Sequence, residues 1–388
     1  MSSVRDAAAA RLLGIEQSPT AIDLSVGEPD FDTPPEIRNA GARALADGAT
    51  RYTPRLGLPE LREAIRARLA RDKGYEPAFE DTIVTAGGSP GTCVSIAAAC
   101  QRGDTILIPE PSWPNYELFS ARIGVGCRRY TQRASQPLDL DEIEALVDAS
   151  TRLIVVNSPA NPTGSVVSRA DTEGLVELAE RHRIWILSDE AYEGIVFGGL
   201  QAWSPCALGG MNRTFAAYTF SKTYAMTGWR VGYLLVPPSF RRSALELQAT
   251  MTGCAPAMAQ RAAEYALAHG GASAETMRRA YERRRDAAVA TLDGTGLLDG
   301  VPEGAFYLWL DVERAGLTGL EFTTRLADEA EVVVSAGEAY SNRSDHHVRV
   351  SFAVDDEQLQ RALERLRATV ERFAVEDRHD TTRDSPVP

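Results

Sequence analysis

TFSKTYAMTGWRVGY, residues 219–233, connects two apolar runs, TFAAYTF (214–220) and VGYLLV (231–236), that read as buried strands. Between them Lys222 stands among hydroxyl residues, and Arg230 follows it by eight positions. A lysine amine can form a Schiff base with a carbonyl compound. Hydroxyl groups close to an arginine can hold a phosphate group. The stretch therefore predicts a reactive lysine next to an anion site.

Short apolar runs alternate with amphipathic segments over most of the chain. Segments such as 58–72 and 169–182 have the periodicity of helices. This alternation predicts an α/β fold, in which a mostly parallel sheet is covered by helices on both faces and ligands bind beyond the carboxyl ends of the strands. The further runs that read as strands are DTIVTA (81–86), DTILIP (104–109), RLIVVN (152–157) and RIWILS (183–188).

A chain of 388 residues is long enough for two packed domains. The pattern changes near Ala274, where an arginine-rich helix leads to the strand-like runs AFYLWLDV and VRVSFAV and then to a last helix. These elements predict a smaller α+β domain. The predicted division is an N-terminal segment joining the small domain (1–40), a large domain (41–273), a small C-terminal domain (274–373) and a disordered tail (374–388).

Composition excludes several classes of function. The net charge of −13 argues against binding to nucleic acid or to an anionic membrane surface, and no apolar run is long enough to span a bilayer. The N-terminus does not read as a signal peptide. Five cysteines without a C-x-x-C pair are expected to be thiols in a reducing cytoplasm, and no metal site is expected. Only two of the 41 basic side chains are lysines, Lys73 and Lys222, so lysine chemistry has two candidates.

The segment around Lys222 resembles the cofactor-lysine signature of the class I and II aminotransferases, which are fold-type I pyridoxal phosphate enzymes. The resemblance continues in order from about Leu24 to Arg367. It implies that 41–273 is the cofactor-binding domain and that Lys222 carries the cofactor as a Schiff base and later moves the substrate proton. It also implies that the cofactor phosphate is held by Thr219, Ser221 and Arg230.

Two motifs follow predicted strands, SPANPTG (158–164) and SDEAY (188–192). Taken alone, they indicate no more than a turn and a helix cap. The resemblance implies that Asn161 donates to the phenolic oxygen of the cofactor and contributes to the substrate site. It further implies that Asp189 pairs with the pyridine nitrogen and that the Tyr192 hydroxyl lies beside Asn161. The catalytic residues implied are thus Lys222, Asp189 and Tyr192.

The motif GGSPG (87–91) stands between a predicted strand and a predicted helix, where backbone amides can hold a phosphate. The resemblance places Gly88 and Ser89 at the phosphate. Pro90 departs from the family pattern because it has no N–H to donate. The resemblance also places Trp113, in EPSWPNY, against the cofactor ring.

Three further positions concern the substrate and a second subunit. The resemblance implies that Arg349, in VRVSFA, clamps the substrate α-carboxylate and that Gly27, in SVGEPDF, lines the substrate pocket. Tyr52, in RYTPRLG, matches the tyrosine that reaches the phosphate of the neighbouring subunit. We therefore expect a homodimer with shared active sites.

The reaction implied is transfer of an amino group between an L-amino acid and a 2-oxo acid. The same groups would support β-elimination, decarboxylation or cofactor-dependent oxidation, and these remain alternatives. In the aspartate-specific bacterial enzymes that the chain resembles, a lysine in the GGSPG turn neutralises the distal carboxylate, and Ser89 stands there instead. The enzyme is therefore not expected to be strictly aspartate-specific, although Arg55 is a second candidate for such a cation.

A serine hydrolase is the remote alternative, because GGSPG also fits G-x-S-x-G. Ser89 would then be the nucleophile, with an aspartate and either His346 or His347 downstream. The residue after that nucleophile donates an N–H to the oxyanion, and Pro90 has none. The hydrolase hypothesis also leaves the Lys222 segment unexplained.

Overall fold

The structure is a computed structural model that describes residues 20–341 and 343–381. The strands of this part are β1 (Ile22–Asp23), β2 (Thr82–Thr85), β3 (Thr105–Glu110), β4 (Gly126–Thr131), β5 (Thr151–Asn157), β6 (Trp185–Asp189), β7 (Thr214–Thr219), β8 (Gly232–Leu235), β9 (Tyr307–Asp311), β10 (Val332–Val333), β11 (Ser335–Ala336) and β12 (His347–Ser351). The helices are α1 (Pro35–Ala46), α2 (Pro59–Lys73), α3 (Gly88–Ala99), α4 (Asn115–Ile123), α5 (Leu140–Ala145), α6 (Arg169–His182), α7 (Arg241–Met251), α8 (Ala257–His269), α9 (Gly271–Leu292), α10 (Gly319–Ala330) and α11 (Asp356–Thr381). No helix among these residues combines the length and apolarity that crossing a bilayer requires.

The large domain is built on a seven-stranded sheet in the order β2-β8-β7-β6-β5-β3-β4. All strands run parallel except β8, which pairs antiparallel with both β2 and β7. Successive residues of β7 face opposite sides, as the pleat requires. Ala216 and Tyr218 belong to a core cluster with α2 and α8, while Phe215 and Ala217 belong to another with α3 and α7. The predicted mostly parallel sheet with helices on both faces is confirmed.

The six predicted strands of this sheet are all present, with ends shifted by one or two residues. The seventh strand, β4, was not predicted. Its sequence, GCRRYT, lacks the apolar run used to find the others. The strand lies at the edge of the sheet and pairs only with β3, and of its side chains only Tyr130 is fully buried. The strand therefore needs few apolar side chains.

The smaller domain contains a three-stranded antiparallel sheet in the order β11-β12-β9, packed against α9, α10 and α11. The N-terminal segment reaches this domain because β1 pairs in parallel with β10, Ile22 opposite Val332. Its later part, α1, packs instead on α8 of the large domain. The predicted domain bounds remain a prediction, and residues 1–19 of the first segment lie outside the described part.

The last helix, α11, continues through Thr381 and so extends eight residues into the segment predicted as a disordered tail (374–388). The sequence after Asp356 contains no glycine, and its first proline is Pro386, so nothing in the chain itself stops the helix earlier. Residues 382–388 lie outside the described part.

The central strand gives a direct test of the core. Leu187 in β6 is fully buried in the cluster with Val94 and Phe215. We expect Leu187→Ala to lower the free energy of unfolding by about 2–5 kcal/mol, because a cavity is left in a packed interior. The matched control is Leu200→Ala, since Leu200 is 49% exposed, and its effect should stay within about 0.5 kcal/mol. Urea titrations of both variants measure this, and equal losses would contradict the assigned burial.

Candidate active site

The parallel strands β5, β6 and β7 end at one edge of the sheet, and their registers bring the motifs that follow them together. Asn157 at the end of β5 lies opposite Asp189 at the end of β6, and Asp189 lies opposite Ala217 of β7. Lys222 lies three residues after Thr219, the last residue of β7. This edge is where ligands of such sheets bind.

Lys222 is enclosed at this edge and has no carboxylate bonded to it in the described part of the chain. Its Nζ donates to the backbone oxygen of Gly27 at 2.7 Å. Burial lowers the pKa of the amine to about 8, and the nearby guanidinium groups of Arg349 and Arg230 act in the same direction, against the opposing charge of Glu28. The neutral amine is therefore a minority form near neutral pH, but a far larger one than in an ordinary lysine.

The other lysine, Lys73, is held in an ion pair. Its Nζ lies 3.0 Å from Glu193 Oε2 and also donates to the backbone oxygen of Ala202 at 3.2 Å. An ammonium held by a carboxylate is a poor nucleophile, because its lone pair is protonated. Of the two candidates, Lys222 therefore has the environment of a reactive amine.

Asp189 is a buried carboxyl group at the end of β6. Tyr116 donates its hydroxyl to Asp189 Oδ2 at 2.6 Å, and the Ala191 N–H donates to Oδ1 at 3.2 Å. Burial raises the pKa of Asp189, and these two hydrogen bonds only partly oppose the rise. Within residues 20–341 and 343–381 no basic side chain pairs with it. The site thus holds a carboxyl group that a cationic ring nitrogen would complete.

Asn157, which was not predicted as a site residue, connects the two motif loops. Its side-chain nitrogen donates to the backbone oxygen of Asp189 at 3.0 Å, and its Oδ1 accepts from the Asn161 N–H at 2.8 Å. The signal available in the sequence was a polar residue that ends an apolar run. Asn157 therefore fixes the position of Asn161 relative to Asp189.

Arg349 in β12 brings a buried cation to the same place. Its Nη1 donates to Asn161 Oδ1 at 2.9 Å and its Nη2 donates to the backbone oxygen of Ser25. Its buried Nε has no hydrogen-bond partner among the residues that the structure describes. The guanidinium carbon lies 4.3 Å from the ring centre of Tyr307 and 4.9 Å from that of Tyr340. No carboxylate of the described chain pairs with it, so it is available to bind one from a ligand.

Tyr192 and Gly27 both lie against Tyr307, on the same side of the site as Arg349. The hydroxyl groups of Tyr192 and Tyr307 lie 2.7 Å apart, and the Tyr192 ring centre is 6.0 Å from Lys222 Nζ. A Cβ added at Gly27 would come 2.0 Å from the Tyr307 hydroxyl, so no larger residue fits there without movement. Tyr307 was predicted only as part of a strand, since an aromatic residue in an apolar run is usually core.

The residues predicted to bind a phosphate, Gly88 and Ser89, stand at the N-terminus of α3, which begins at Gly88. Ser89 and Pro90 are the second and third residues of that helix. N–H groups of the first turn have no partner within the helix, so the missing N–H of Pro90 removes no intrahelical bond. The helix end therefore keeps its positive dipole and the free N–H groups of its neighbours.

Arg230 and two hydroxyl groups face this helix end. Arg230 Nη1 donates to the backbone oxygen of Thr227 at 2.9 Å, and a Cβ added at Gly87 would come 2.3 Å from Nη2, so the guanidinium lies directly against the turn. Thr219 Oγ1 donates to Ser221 Oγ at 2.9 Å. Thr219 is 3.3 Å from the Cβ position of Gly88. The predicted phosphate residues are thus close together.

Three further residues from the sequence analysis lie outside this central group. Trp113 is half-buried and packs edge-on against Tyr116, the ring centres 5.4 Å apart, so it lies near the Asp189 pair. Tyr52 is 95% exposed. Arg55, the alternative distal cation, is exposed as well.

The residues of the hydrolase alternative are not assembled. His346 Nδ1 is paired with the backbone oxygen of Leu317 at 3.0 Å. His347 stacks on Trp309 and lies 3.6 Å from Asp299. In the part of the chain that the structure describes, no hydrogen bond joins either histidine to Ser89.

Comparison with known proteins agrees with this geometry. Residues 19–366 match the sequence profile of the family described as aminotransferase class I and II. The aromatic-amino-acid aminotransferase 2 of Thermococcus litoralis is 35% identical over 352 residues, which cover 89% of this chain and 90% of the relative. The aspartate aminotransferase of Pyrococcus abyssi is 34% identical, with coverage of 89% and 90%.

Solved structures agree as well. An aromatic aminotransferase from Pyrococcus horikoshii superposes with a TM-score of 0.87 at 32% identity, covering 94% of this chain and 98% of that one. The aspartate aminotransferase from Thermus thermophilus with maleate superposes with a TM-score of 0.85 at 33% identity, covering 94% of each chain. These relatives give no support to the β-elimination, decarboxylation, oxidation or hydrolase alternatives.

The low pKa of Lys222 can be tested by comparing the reactivity of its amine with that of Lys73. In the ligand-free protein, the rate at which a small acylating reagent modifies Lys222 should rise through about pH 8 and then level off, because only the neutral amine reacts. Lys73 should react more slowly throughout, since it is buried in its ion pair. Mass spectrometry of the digested protein follows both lysines in one sample. A Lys222 rate that keeps rising to about pH 10, as for an ordinary lysine, would contradict the assignment.

Proposed function

The chain belongs to the class I and II aminotransferases, and we propose that its pyridoxal phosphate-dependent reaction is carried out by Lys222 at the edge of the large sheet. The enzyme transfers an amino group between an L-amino acid and a 2-oxo acid. The observation that carries the proposal is the grouping of a buried amine with a pKa of about 8, a buried carboxyl group and a buried guanidinium, each without an ionic partner in the described chain.

The residues present fit the cofactor. Pyridoxal phosphate supplies an aldehyde that takes up the amino group and a ring that accepts electrons from the substrate. Asp189 would hold a protonated ring nitrogen, because a buried carboxyl group without a cation gains most from one. The Arg349 contact uses Asn161 Oδ1, which leaves the side-chain nitrogen of Asn161 to donate to the phenolic oxygen, beside the Tyr192 hydroxyl. The phosphate would be held by Gly88, Ser89, Thr219, Ser221 and Arg230, and the ring face by Trp113.

Two side chains act on the substrate. Arg349 binds its α-carboxylate in a forked, charge-assisted contact and so fixes the orientation of Cα. Lys222, once its amine is free, takes the proton from Cα of the amino acid. In the reverse half of the reaction it returns a proton to Cα. An amine with a pKa of about 8 is suited to both directions, because neither protonation state is strongly disfavoured near neutral pH. Gly27 leaves no room for a side chain next to Tyr307, and its backbone oxygen accepts from Lys222 Nζ.

The substrate range is not restricted to aspartate. The position of the distal-carboxylate lysine is Ser89, and Arg55 is exposed to solvent. Arg129 is already neutralised, with its nitrogens 2.9 Å from Glu110 and 2.8 Å from Glu117. Aromatic rings, Tyr307 and Tyr340, flank Arg349 instead. Neutral and aromatic amino acids are therefore the proposed main substrates, with acidic ones as additional donors.

The enzyme is proposed to work as a homodimer in the cytoplasm. Tyr52 is 95% exposed on its own chain, and it matches the tyrosine that the resemblance expects to reach the phosphate of the neighbouring subunit. The five cysteines are all free thiols, as a reducing compartment favours. In this arrangement residues 41–273 bind the cofactor and residues 274–373 contribute Arg349.

Removal of the lysine tests the proposal. Lys222→Ala should lose the visible absorption band of lysine-bound cofactor and at least about a thousandfold in turnover, since both the covalent attachment and the proton transfer are removed. Borohydride reduction of the wild-type protein with bound cofactor should label Lys222 and leave Lys73 unlabelled. A panel of L-amino acids, followed by loss of that band and release of 2-oxo acid, gives the substrate class. Label on Lys73, or full turnover by the variant, would refute the proposal.

Mixed dimers test the position of Tyr52. Lys222→Ala and Tyr52→Ala subunits, each defective alone, should form a heterodimer in which one site combines an intact Lys222 with an intact Tyr52 from the other chain. Cofactor affinity and activity should therefore return in about half of the sites of the heterodimer. If Tyr52 served its own chain, both sites would stay defective and mixing would restore nothing.

A further inference from the structure

The turn that follows β6, residues 189–193, has functional side chains on two sides. Asp189 and Tyr192 face the proposed cofactor site. Glu190 and Glu193 are also buried but point into the large domain away from it. The turn is closed by a hydrogen bond from the Glu193 N–H to the Glu190 backbone oxygen at 3.2 Å. A displacement of Glu193 would therefore move Tyr192 and Asp189 with it.

Glu193 is held by two cations from α2. Arg68 Nη2 contacts Glu193 Oε1, and Lys73 Nζ lies 3.0 Å from Oε2. The three side chains are 8–10% exposed. Burial alone would raise the pKa of Glu193, but the charges of Arg68 and Lys73 outweigh it and lower the pKa to about 2. The carboxylate is thus ionised at any pH at which the protein functions, and its two oxygens are each fixed by a cation.

The cluster also reaches other elements around the site. Arg68 Nη1 donates to the Tyr233 hydroxyl at 3.2 Å, and the Tyr233 ring stacks on that of Tyr218 in β7, with ring centres 4.5 Å apart. A Cβ added at Gly194, the residue after Glu193, would come 2.7 Å from the Thr223 side chain. Thr223 follows Lys222 in the chain. The position of Glu193 therefore limits where the Lys222 loop can lie.

We propose that the buried ion cluster of Arg68, Lys73 and Glu193 is a positioning device that aligns Asp189, Tyr192 and Lys222 for the cofactor. This inference rests on the function proposed above. A buried ion cluster adds little net stability compared with apolar side chains, but its directional contacts hold a loop in one geometry. Lys73, one of the two lysines in an arginine-rich chain, is placed so that a compact ammonium bridges Glu193 and the backbone of Ala202.

The test uses variants that change the charge with little change in size. Glu193→Gln and Lys73→Met are the disrupting variants, and Lys73→Arg keeps the charge. The matched control is Glu173→Gln, which removes a carboxylate from the exposed pair with Arg169 at 2.8 Å on α6. Each cofactor-free protein is titrated with pyridoxal phosphate, and the visible circular dichroism of the bound cofactor is recorded, because it reports the orientation of the ring. Thermal unfolding of the cofactor-free proteins measures fold stability separately.

We expect Glu193→Gln and Lys73→Met to raise the dissociation constant of pyridoxal phosphate by about tenfold, the usual loss when a partner that orients a ligand group is removed. The visible circular dichroism band should shift or weaken in both. Lys73→Arg should lie closer to the wild type than Lys73→Met, and Glu173→Gln should match the wild type. If Lys73→Met does not fold, Glu193→Gln alone decides the outcome, since it keeps the shape of the side chain.

A lower melting temperature with unchanged cofactor affinity and an unchanged circular dichroism band would overturn the inference and leave the cluster as a structural element. That result is separable from failure of the proposed function. If the wild type itself gave no lysine-bound cofactor band, the function would fail. If the wild type bound the cofactor at Lys222 and both disrupting variants did the same equally well, only the positioning role would fail.

Discussion

The site depends on keeping buried charges without partners. Asp189 and Arg349 are both withdrawn from water, yet within the described chain neither is neutralised by an opposite charge. Such groups are costly to bury, and folding alone gives no reason to place them side by side. The cost is understandable if a ligand brings a cationic ring nitrogen to one and a carboxylate to the other. The hydrogen bonds of Asn157 and Asn161 connect the backbone of Asp189 to the Arg349 guanidinium and so fix the two groups relative to each other.

Much of this could be predicted from the sequence, because the strands carry apolar runs and the motifs follow them directly. Lys222 was singled out by the segment around it, whereas Asn161, Asp189 and Arg349 were implied only by the resemblance of their motifs to the aminotransferase family. The structure places Asp189 opposite Asn157, close to Asn161, and Arg349 donates to Asn161. Tyr116, Asn157 and Tyr307 were not found, because their roles arise from contacts with residues far away in the chain. A hydrogen bond across 73 positions, such as that from Tyr116 to Asp189, leaves no local pattern.

The differences between the predicted and the observed secondary structure have a similar origin. An edge strand such as β4 needs apolar side chains on little of its surface, so its sequence resembles a loop. The last helix was predicted to end at residue 373, and α11 extends to Thr381 in a stretch that no proline or glycine interrupts. The departure at Pro90 was located correctly, but its effect depended on the register of α3, which only the structure provides.

The scarcity of lysine has a consequence for how the enzyme responds to alkaline conditions. All but two of the 41 basic side chains are arginines, whose guanidinium groups keep their proton far above neutral pH. The ion pairs that cover the helices, such as Arg169 with Glu173 and Arg242 with Glu246, therefore keep their charges in buffers that would discharge a lysine-rich surface. The charges of these surface ion pairs are thus kept under mildly alkaline conditions, whereas the buried amine of Lys222 loses its proton above about pH 8.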